Sequence, residues 1–252
     1  MNSKLIWLSI VAVIISFFGG FYLANSLNGK EIAKLQTENE QLKKNPNGAS
    51  QANSQSDSDP ELSDDEIKQK IAEADKNSTN FQYQRNLGLA IYRYGTMKNN
   101  ANLITESGRL LQRVYDNDPK DYDATVALGN VFFDLGYLLK NSQNLEKGRE
   151  FYRKAIEQKP TDSDVQADLG ISYYVAEPPE LDKAAAQLQK TLDINPKHER
   201  ALLFMTQTLI KQNKTAEAEK YLARLKEINP QTPTLAELNT QMSQGGGTIQ
   251  KQ

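Results

Sequence analysis

Prolines 119, 160, 196 and 230 recur at intervals of 41, 36 and 34 residues, and this series constrains the fold more than any other feature of the chain. The last two close nearly identical phrases, DINP at 193–196 and EINP at 227–230. A second series runs in step with the first: Leu87-Gly88, Leu128-Gly129 and Leu169-Gly170, 41 residues apart, each followed three positions later by Ile91, Phe132 or Tyr173. A fourth unit has Met205-Thr206 and then Leu209 in these places. Twelve residues before each proline stands a small residue, Ser107, Gly148, Ala184 or Ala218, and eight before it a large apolar one, Leu111, Tyr152, Leu188 or Leu222. Five before it stand Val114, Ala155, Thr191 and Leu225. Small residues opposite large ones at helical spacing let two helix backbones approach closely. A proline lacks an amide donor and keeps the preceding residue out of the helical region, so it stops the second helix. The spacing therefore predicts about four helical hairpins, with Pro119, Pro160, Pro196 and Pro230 as helix stops.

The pattern resembles the tetratricopeptide repeat (TPR) family, whose unit reads W-x₂-L-G-x₂-Y…A-x₃-F…P over roughly 34 residues. The resemblance covers about 80–232 and implies an all-α, TPR-type α-solenoid. Two departures stand out. The family's first signature position holds Gln84, Thr125, Gln166 and Leu202 and no tryptophan. Units one and two carry about seven extra residues around TMKNNANL and YLLKNSQNL, which fit either lengthened helices or a longer loop, and unit three carries Pro178-Pro179 in its inter-helix turn. Both ends carry cap signals: Ser63 and Glu66 form a capping-box pattern before Ile67, Ile71 and Ala74, and TPTLAELNTQM at 232–242 starts as a helix that covers the last hairpin. The repeat domain with its capping helices is expected over 63–243, with a flexible tail over 244–252.

The amino-terminal part is of another kind. Residues 5–29 contain no charge and 5–24 are almost wholly apolar, long enough as a helix to cross the roughly 30 Å of a bilayer's hydrocarbon core. A cleaved signal peptide is the rival, but the best cleavage positions place Tyr22 or Phe18 where a small residue is needed. An uncleaved transmembrane signal-anchor over 1–29 is therefore expected. Lys30, Lys34, Lys43 and Lys44 after the span pull the following chain toward the cytoplasm, whereas the short amino tail fits a bacterial signal-anchor; the expected placement is a single pass in the bacterial cytoplasmic (inner) membrane with the repeats on the extracytoplasmic side. Ser16, Gly20 and Ala24 form a small-residue stripe that continues into heptad spacing at Ile32, Leu35, Asn39 and Leu42. Residues 30–44 then read either as a short parallel coiled-coil stalk, and so a homodimer, or as a solvated helix. Residues 45–62 have too little apolar content to offset ordering entropy and read as a disordered linker.

Composition narrows the function. Net charge is −2 with 25% charged residues, so no basic excess points to nucleic acid. The chain has no cysteine and one histidine, His198, expected at the surface in the turn after Pro196. No nucleophile–base pair, glycine-rich phosphate loop or metal set is visible; neither catalysis nor a cofactor is expected. The TPR resemblance implies a concave groove lined by the first helix of each unit, which binds a peptide or helix of a client protein. Side chains there that hairpin packing does not require are Arg85, Tyr92, Arg93, Asn130, Phe133, Asp134, Tyr137, Tyr174, Arg200, Gln207 and Lys211. TPR proteins that clamp a terminal carboxylate place Lys and Asn on successive first helices, where this chain has Arg85, Leu89, Ala127, Asp164 and Asp168, so that mode is not expected. The membrane-anchored architecture looks like accessory proteins of c-type cytochrome assembly and anchored subunits attending the secretion translocon. The expected function is a membrane-held protein-interaction scaffold; the alternative is a dimeric spacer organising a membrane complex.

Overall fold

The computed structural model describes residues 63–232 and 234–245. The anchor, stalk and linker expected over 1–62, and all but the start of the expected tail, lie outside the described residues. Among the described residues no helix is long and apolar enough to cross a membrane.

Ten helices follow one another without a strand among the described residues: α1 (Asp64–Lys76), α2 (Phe81–Met97), α3 (Ala101–Asn117), α4 (Tyr122–Leu138), α5 (Ser142–Gln158), α6 (Ser163–Tyr174), α7 (Leu181–Ile194), α8 (Glu199–Lys211), α9 (Thr215–Ile228) and α10 (Thr234–Gly245). They pair as four hairpins, α2–α3, α4–α5, α6–α7 and α8–α9, with α1 against the first and α10 against the last.

Polar residues start these helices where the chain needs them. Ser63 and Glu66 form the capping box of α1, with Ser63 N donating to Glu66 Oε2 at 2.9 Å and Glu66 N to Ser63 Oγ at 3.2 Å. The side chains of Asn80, Asn100, Asp121, Asn141 and Asp162 each accept a first-turn amide, satisfying donors the helix leaves unpaired. At the other ends, α3, α5, α7 and α9 stop at the residue two before a proline. The intervening C-caps, Asp118, Lys159, Asn195 and Asn229, all have φ between −129° and −139° and ψ between 81° and 93°. That is the extended region to which a following proline restricts a residue. Two turns within hairpins one and two use non-glycine residues in the left-handed region, Asn99 and Lys140, both at φ 50°, and Asn213 does the same in hairpin four at φ 60°.

The extra residues of units one and two are absorbed as longer helices. All four helices of those hairpins have 17 residues, against 12 to 14 in α6 to α9, so each gains about one 3.6-residue turn. The added turns carry their own close-packing glycines. A Cβ on Gly136 would lie 2.6 Å from the backbone nitrogen of Leu145, and one on Gly95 3.1 Å from that of Ile104.

Lower in each hairpin the two residue series meet. A Cβ on Gly88 would come 2.9 Å from Leu111 Cγ, one on Gly129 2.6 Å from the Tyr152 ring, and one on Gly170 2.9 Å from Leu188 Cγ. These glycines face the large residues eight before each proline. In hairpin four Thr206 is fully buried and turns its hydroxyl onto the Leu202 carbonyl at 2.8 Å. Gly148, Ala155, Ala184 and Ala218 are buried, as are Leu111, Tyr152, Leu188, Leu222, Leu128 and Leu169. Leu111 and Leu128 belong to a core cluster between hairpins one and two, and Tyr152, Leu169, Leu188 and Leu222 to a larger one that runs on through hairpins three and four. Leu87 is half-buried against Ile91 and Leu110. Leu238 of α10 closes the core at the far end.

The polar residues where the family signature has tryptophan tie local backbone. Gln84 donates to the Ala74 and Asn77 carbonyls at 2.6 and 3.1 Å, Thr125 to Asp121 O at 2.7 Å and Gln166 to Pro160 O at 3.0 Å. Arg149 of α5, outside the repeat pattern, is buried against the carboxyl-terminal end of the short α6. It donates to Ser172 O at 2.7 Å and to Glu180 at 2.7 Å, and lies 4.3 Å over the Tyr173 ring.

Candidate binding surface

The first helices of the hairpins form the inner layer. α2 touches α4 and α6 touches α8, and Tyr122 at the start of α4 bonds to Asp162 at the start of α6. Contacts between second helices of neighbouring hairpins, like those between α4 and α6 themselves, are marginal at most among the described residues. The face shared by α2, α4, α6 and α8 is thus the inside of the curvature, where a repeat solenoid presents its binding surface.

Polar bonds tie each first helix to the next. Arg85 pairs with Asp121, the N-cap of α4. Tyr122 Oη donates to Asp162, the N-cap of α6, at 2.6 Å. His198 Nε2 donates to Asp164 Oδ1 across 3.0 Å while its Nδ1 accepts the Ala201 amide at 3.2 Å, so the ring is the N-cap of α8. This corrects the expectation of a surface histidine: His198 is buried because a helix start must be capped against α6.

A second, deeper set lies further along the helices. Tyr92 Oη donates to Asp134 Oδ2 at 2.6 Å, and Arg200 pairs with Asp168. Arg200 and Asp168 are each more than nine-tenths buried. Burial, opposed by the Tyr92 hydrogen bond and reinforced by the charge of Asp168, pushes the Asp134 carboxyl up to about 7. Burial also raises Asp168, with Arg200 pulling the other way, and raises the Tyr92 phenol far above its ordinary value. Four residues on four successive first helices therefore form one electrostatic unit with two carboxyls and one guanidinium, half-buried at Tyr92 and Asp134 and buried at Asp168 and Arg200.

The expected groove residues divide on these grounds. Tyr92, Asp134 and Arg200 are brought together, but Arg200 is consumed by Asp168 and is not a groove-lining cation. Phe133 is likewise a packing residue: it is 6% exposed, with its ring 6.5 Å from that of Tyr152. Asn130, half-buried, accepts the Tyr152 hydroxyl at 2.9 Å. Arg85 is half-buried and held by Asp121. The half-buried Tyr137, Tyr174 and Gln207 and the exposed Arg93 and Lys211 complete the face. Tyr174 meets Phe204 edge-on with centroids 5.3 Å apart and carries Lys211 Nζ 4.1 Å over its ring. Burial raises the Tyr174 phenol, and partial desolvation of the ammonium over that ring lowers Lys211 although the side chain as a whole is exposed. The positions that hold a terminal carboxylate in clamp-type TPR proteins are spent internally, Asp164 on His198 and Asp168 on Arg200. A carboxylate approaching them meets two acids. No cluster of three or more potential metal ligands occurs among the described residues.

The asparagine, glycine and proline signals are visible in sequence; the Asp168–Arg200 pair is not, because its members are 32 residues apart and neither belongs to the repeat pattern.

Tetratricopeptide repeat profiles match residues 129–162 and 180–242. No curated protein sequence matches the chain significantly. Among solved structures, residues 41 to the end of MamA from Desulfovibrio magneticus RS-1 superpose with a TM-score of 0.53 at 15% identity, over 67% of this chain and 86% of that one. TTC0263, a thermophilic TPR protein of Thermus thermophilus, gives 0.51 at 15% identity over 72% and 89%. The pilF protein of Pseudomonas aeruginosa gives 0.50 at 20% identity over 70% and 78%. At these identities the likeness is one of fold, and with the two profile matches it identifies the described domain as an all-α solenoid of the tetratricopeptide-repeat type.

Proposed function

We propose that this chain is a protein-interaction scaffold whose inner face takes a segment of a client protein, and that its apolar amino-terminal segment holds the solenoid at a membrane. The observation that carries the reading is the pairing of a fixed inner layer with an adaptable lining. The Tyr92–Asp134 and Asp168–Arg200 bonds join the first helices, so the face is preorganised and loses little ordering entropy on binding. Over that frame Tyr137, Tyr174, Gln207, Arg93 and Lys211 offer aromatic area beside donors and acceptors. That mixture suits an extended or helical peptide without a terminal-carboxylate anchor. Tetratricopeptide repeats serve protein–protein interaction, which supports the same reading. An apocytochrome awaiting haem attachment is the client to test first, on the likeness to anchored accessory proteins of c-type cytochrome assembly; translocon subunits are the next.

A photo-crosslinking residue at position 174 or 207 of the full-length protein, activated in native membranes, tests the proposal. The expected result is a discrete client adduct that Tyr174→Ala or Gln207→Ala weakens. Adducts identical to those of a chain carrying residues 1–60 alone would overturn it and favour the spacer.

A further inference from the structure

Met97 and Leu139 are the two most exposed large hydrophobic residues among those described, at 65% and 55%. Met97 is the last residue of α2 and Leu139 the C-cap of α4, so both lie on the rim where first helices turn into second helices. Each is followed by a lysine, Lys98 and Lys140, both exposed. The added helical turns raise these tips, and the close contacts of Gly95 and Gly136 hold them rigidly. The opposite rim differs: its exposed apolar residues, Ile194 and Ile228, stand at 38% and 37%, each preceded by an acid, Asp193 or Glu227.

The chain also enters at the Met97–Leu139 rim. The carboxyl-terminal end of α1 is fixed to the second half of α3, with Asp75 2.6 Å from Arg109 and 2.8 Å from Arg113. α3 runs away from that rim, so Ser63, at the other end of α1, points toward it. Residues 1–62, with the apolar stretch at 5–24, join the solenoid on this side.

We infer that this rim docks on the lipid surface of the membrane that holds the amino-terminal segment, Met97 and Leu139 inserting among the headgroups and Lys98 and Lys140 facing lipid phosphates. The inference rests on the membrane reading proposed above. Two apolar tips on touching helices, with exposed Asn99, Asn100 and Asn141 beside them in the turns, are too sparse for the contiguous core of a protein interface. They match shallow interfacial insertion, which needs only a few apolar side chains beside cations. The tether supplies the rest, since a weak contact made intramolecularly is populated at the high local concentration the linker imposes. Asp64, Asp65 and Glu66 at the start of α1, and Glu177 in the third hairpin's turn, lie on the same rim and oppose anionic lipid. Contact is therefore centred on hairpins one and two. Docking there turns the inner face sideways to the membrane and leaves it open to a client.

The chain has no cysteine, so single-cysteine variants report one place each. Full-length Met97→Cys, Leu139→Cys and, as control, Ile228→Cys carry an environment-sensitive fluorophore and are reconstituted into vesicles of phosphatidylcholine with equal phosphatidylglycerol, or of phosphatidylcholine alone. A lipid bearing a headgroup nitroxide serves as quencher, and flotation reports whether the chain is held by the vesicles. The expected result is quenching at 97 and 139 at least about twofold above that at 228, reduced by salt and by omission of phosphatidylglycerol. Equal quenching at all three sites, or none at 97 and 139 in chains that float, overturns rim docking and leaves the anchor standing. Chains that do not float overturn the anchor and the docking together.

Discussion

The hydroxyl of Tyr92 donates to the Asp134 carboxyl at 2.6 Å across the 42 residues that separate them, joining the first helices of the two lengthened hairpins. Of the two, Asp134 is the partner brought to titrate near neutrality. Its carboxyl stands at about 7 in the folded chain against an ordinary 3.8, so between those values the folded state holds a proton that the unfolded chain has released. Stability from this group is full below about pH 4 and is lost as pH rises through 7. Asp168 is shifted the same way. Asp75 and Glu180, held low chiefly by hydrogen bonds from Arg109 and Lys183, act oppositely, losing stability only as pH falls below the ordinary carboxylate range.

Asp134→Asn keeps an acceptor for Tyr92 and removes the half-buried, poorly solvated charge. Its stability is expected above that of the parent at pH 8, by on the order of 2 kcal/mol, with the gain smaller at pH 5 and vanishing only below about pH 4. Thermal denaturation at the two pH values checks it; a gain independent of pH, or a loss at both, sinks the assignment.

The glycine series ranks three further substitutions. Gly136→Ala forces a methyl within 2.6 Å of backbone at Leu145, which can yield only by separating α4 from α5. Gly129→Ala meets the Tyr152 ring, itself held by Asn130. Gly88→Ala meets the end of the Leu111 side chain at 2.9 Å, which has rotamers to spare. Overpacking costs typically about 1–3 kcal/mol and more against rigid groups, so urea denaturation is expected to order the losses Gly136→Ala, Gly129→Ala, Gly88→Ala. The reverse order would show that the lengthened turns are not tightly packed.

Much of this architecture is open to reading in the chain, and the rest is hidden for a definite reason. Pro119, Pro160, Pro196 and Pro230 act on their own neighbours, so their effect needs no knowledge of the fold. Leu-Gly pairs and the large residues opposite them repeat at fixed spacing, which reveals their partnership. Gly95 and Gly136 also repeat at 41 and belong to the added turns, a signal present but outside the 34-residue pattern. Asp168, Arg200, Asp164 and His198 bond between hairpins without any repeating pattern. Their roles depend on how neighbouring first helices stagger, which packing alone decides. Phe133 shows the same limit from the other side: one helical face holds both core and groove residues, and spacing could not separate them.

His198 is the case in which stagger changes a residue's meaning. Its Nδ1 accepts the Ala201 amide and its Nε2 faces Asp164, so one ring both caps α8 and joins it to α6. His198→Ala is expected to cost about 1–2 kcal/mol, within the range for loss of a helix cap. His198→Asn restores a good cap without reaching Asp164 and is expected to recover about half of that. Denaturant midpoints of the three chains check this; equal stability of all three would show that neither bond matters.

Arg200 poses the sharpest test of the buried unit, because its guanidinium faces both Asp134 and Asp168. Arg200→Ala leaves Asp168 buried without its ion pair and Asp134 opposed by an unneutralised neighbour. Breaking a buried pair from one side costs about 3–5 kcal/mol, whereas replacing both partners by apolar residues of similar shape is often nearly neutral. The expected result is therefore strong non-additivity: Asp168→Leu with Arg200→Met loses less stability than the sum of Asp168→Leu and Arg200→Met made singly, by a coupling of about 2 kcal/mol or more at pH 8. Lowering the pH should shrink that coupling, since protonating Asp168 or Asp134 removes the charge that Arg200 balances. A double-mutant cycle at pH 5 and pH 8 reads both terms. Additive losses at both values would mean that Arg200 stabilises the fold through packing of its stem, and that the first helices of hairpins three and four are joined by contact rather than by charge.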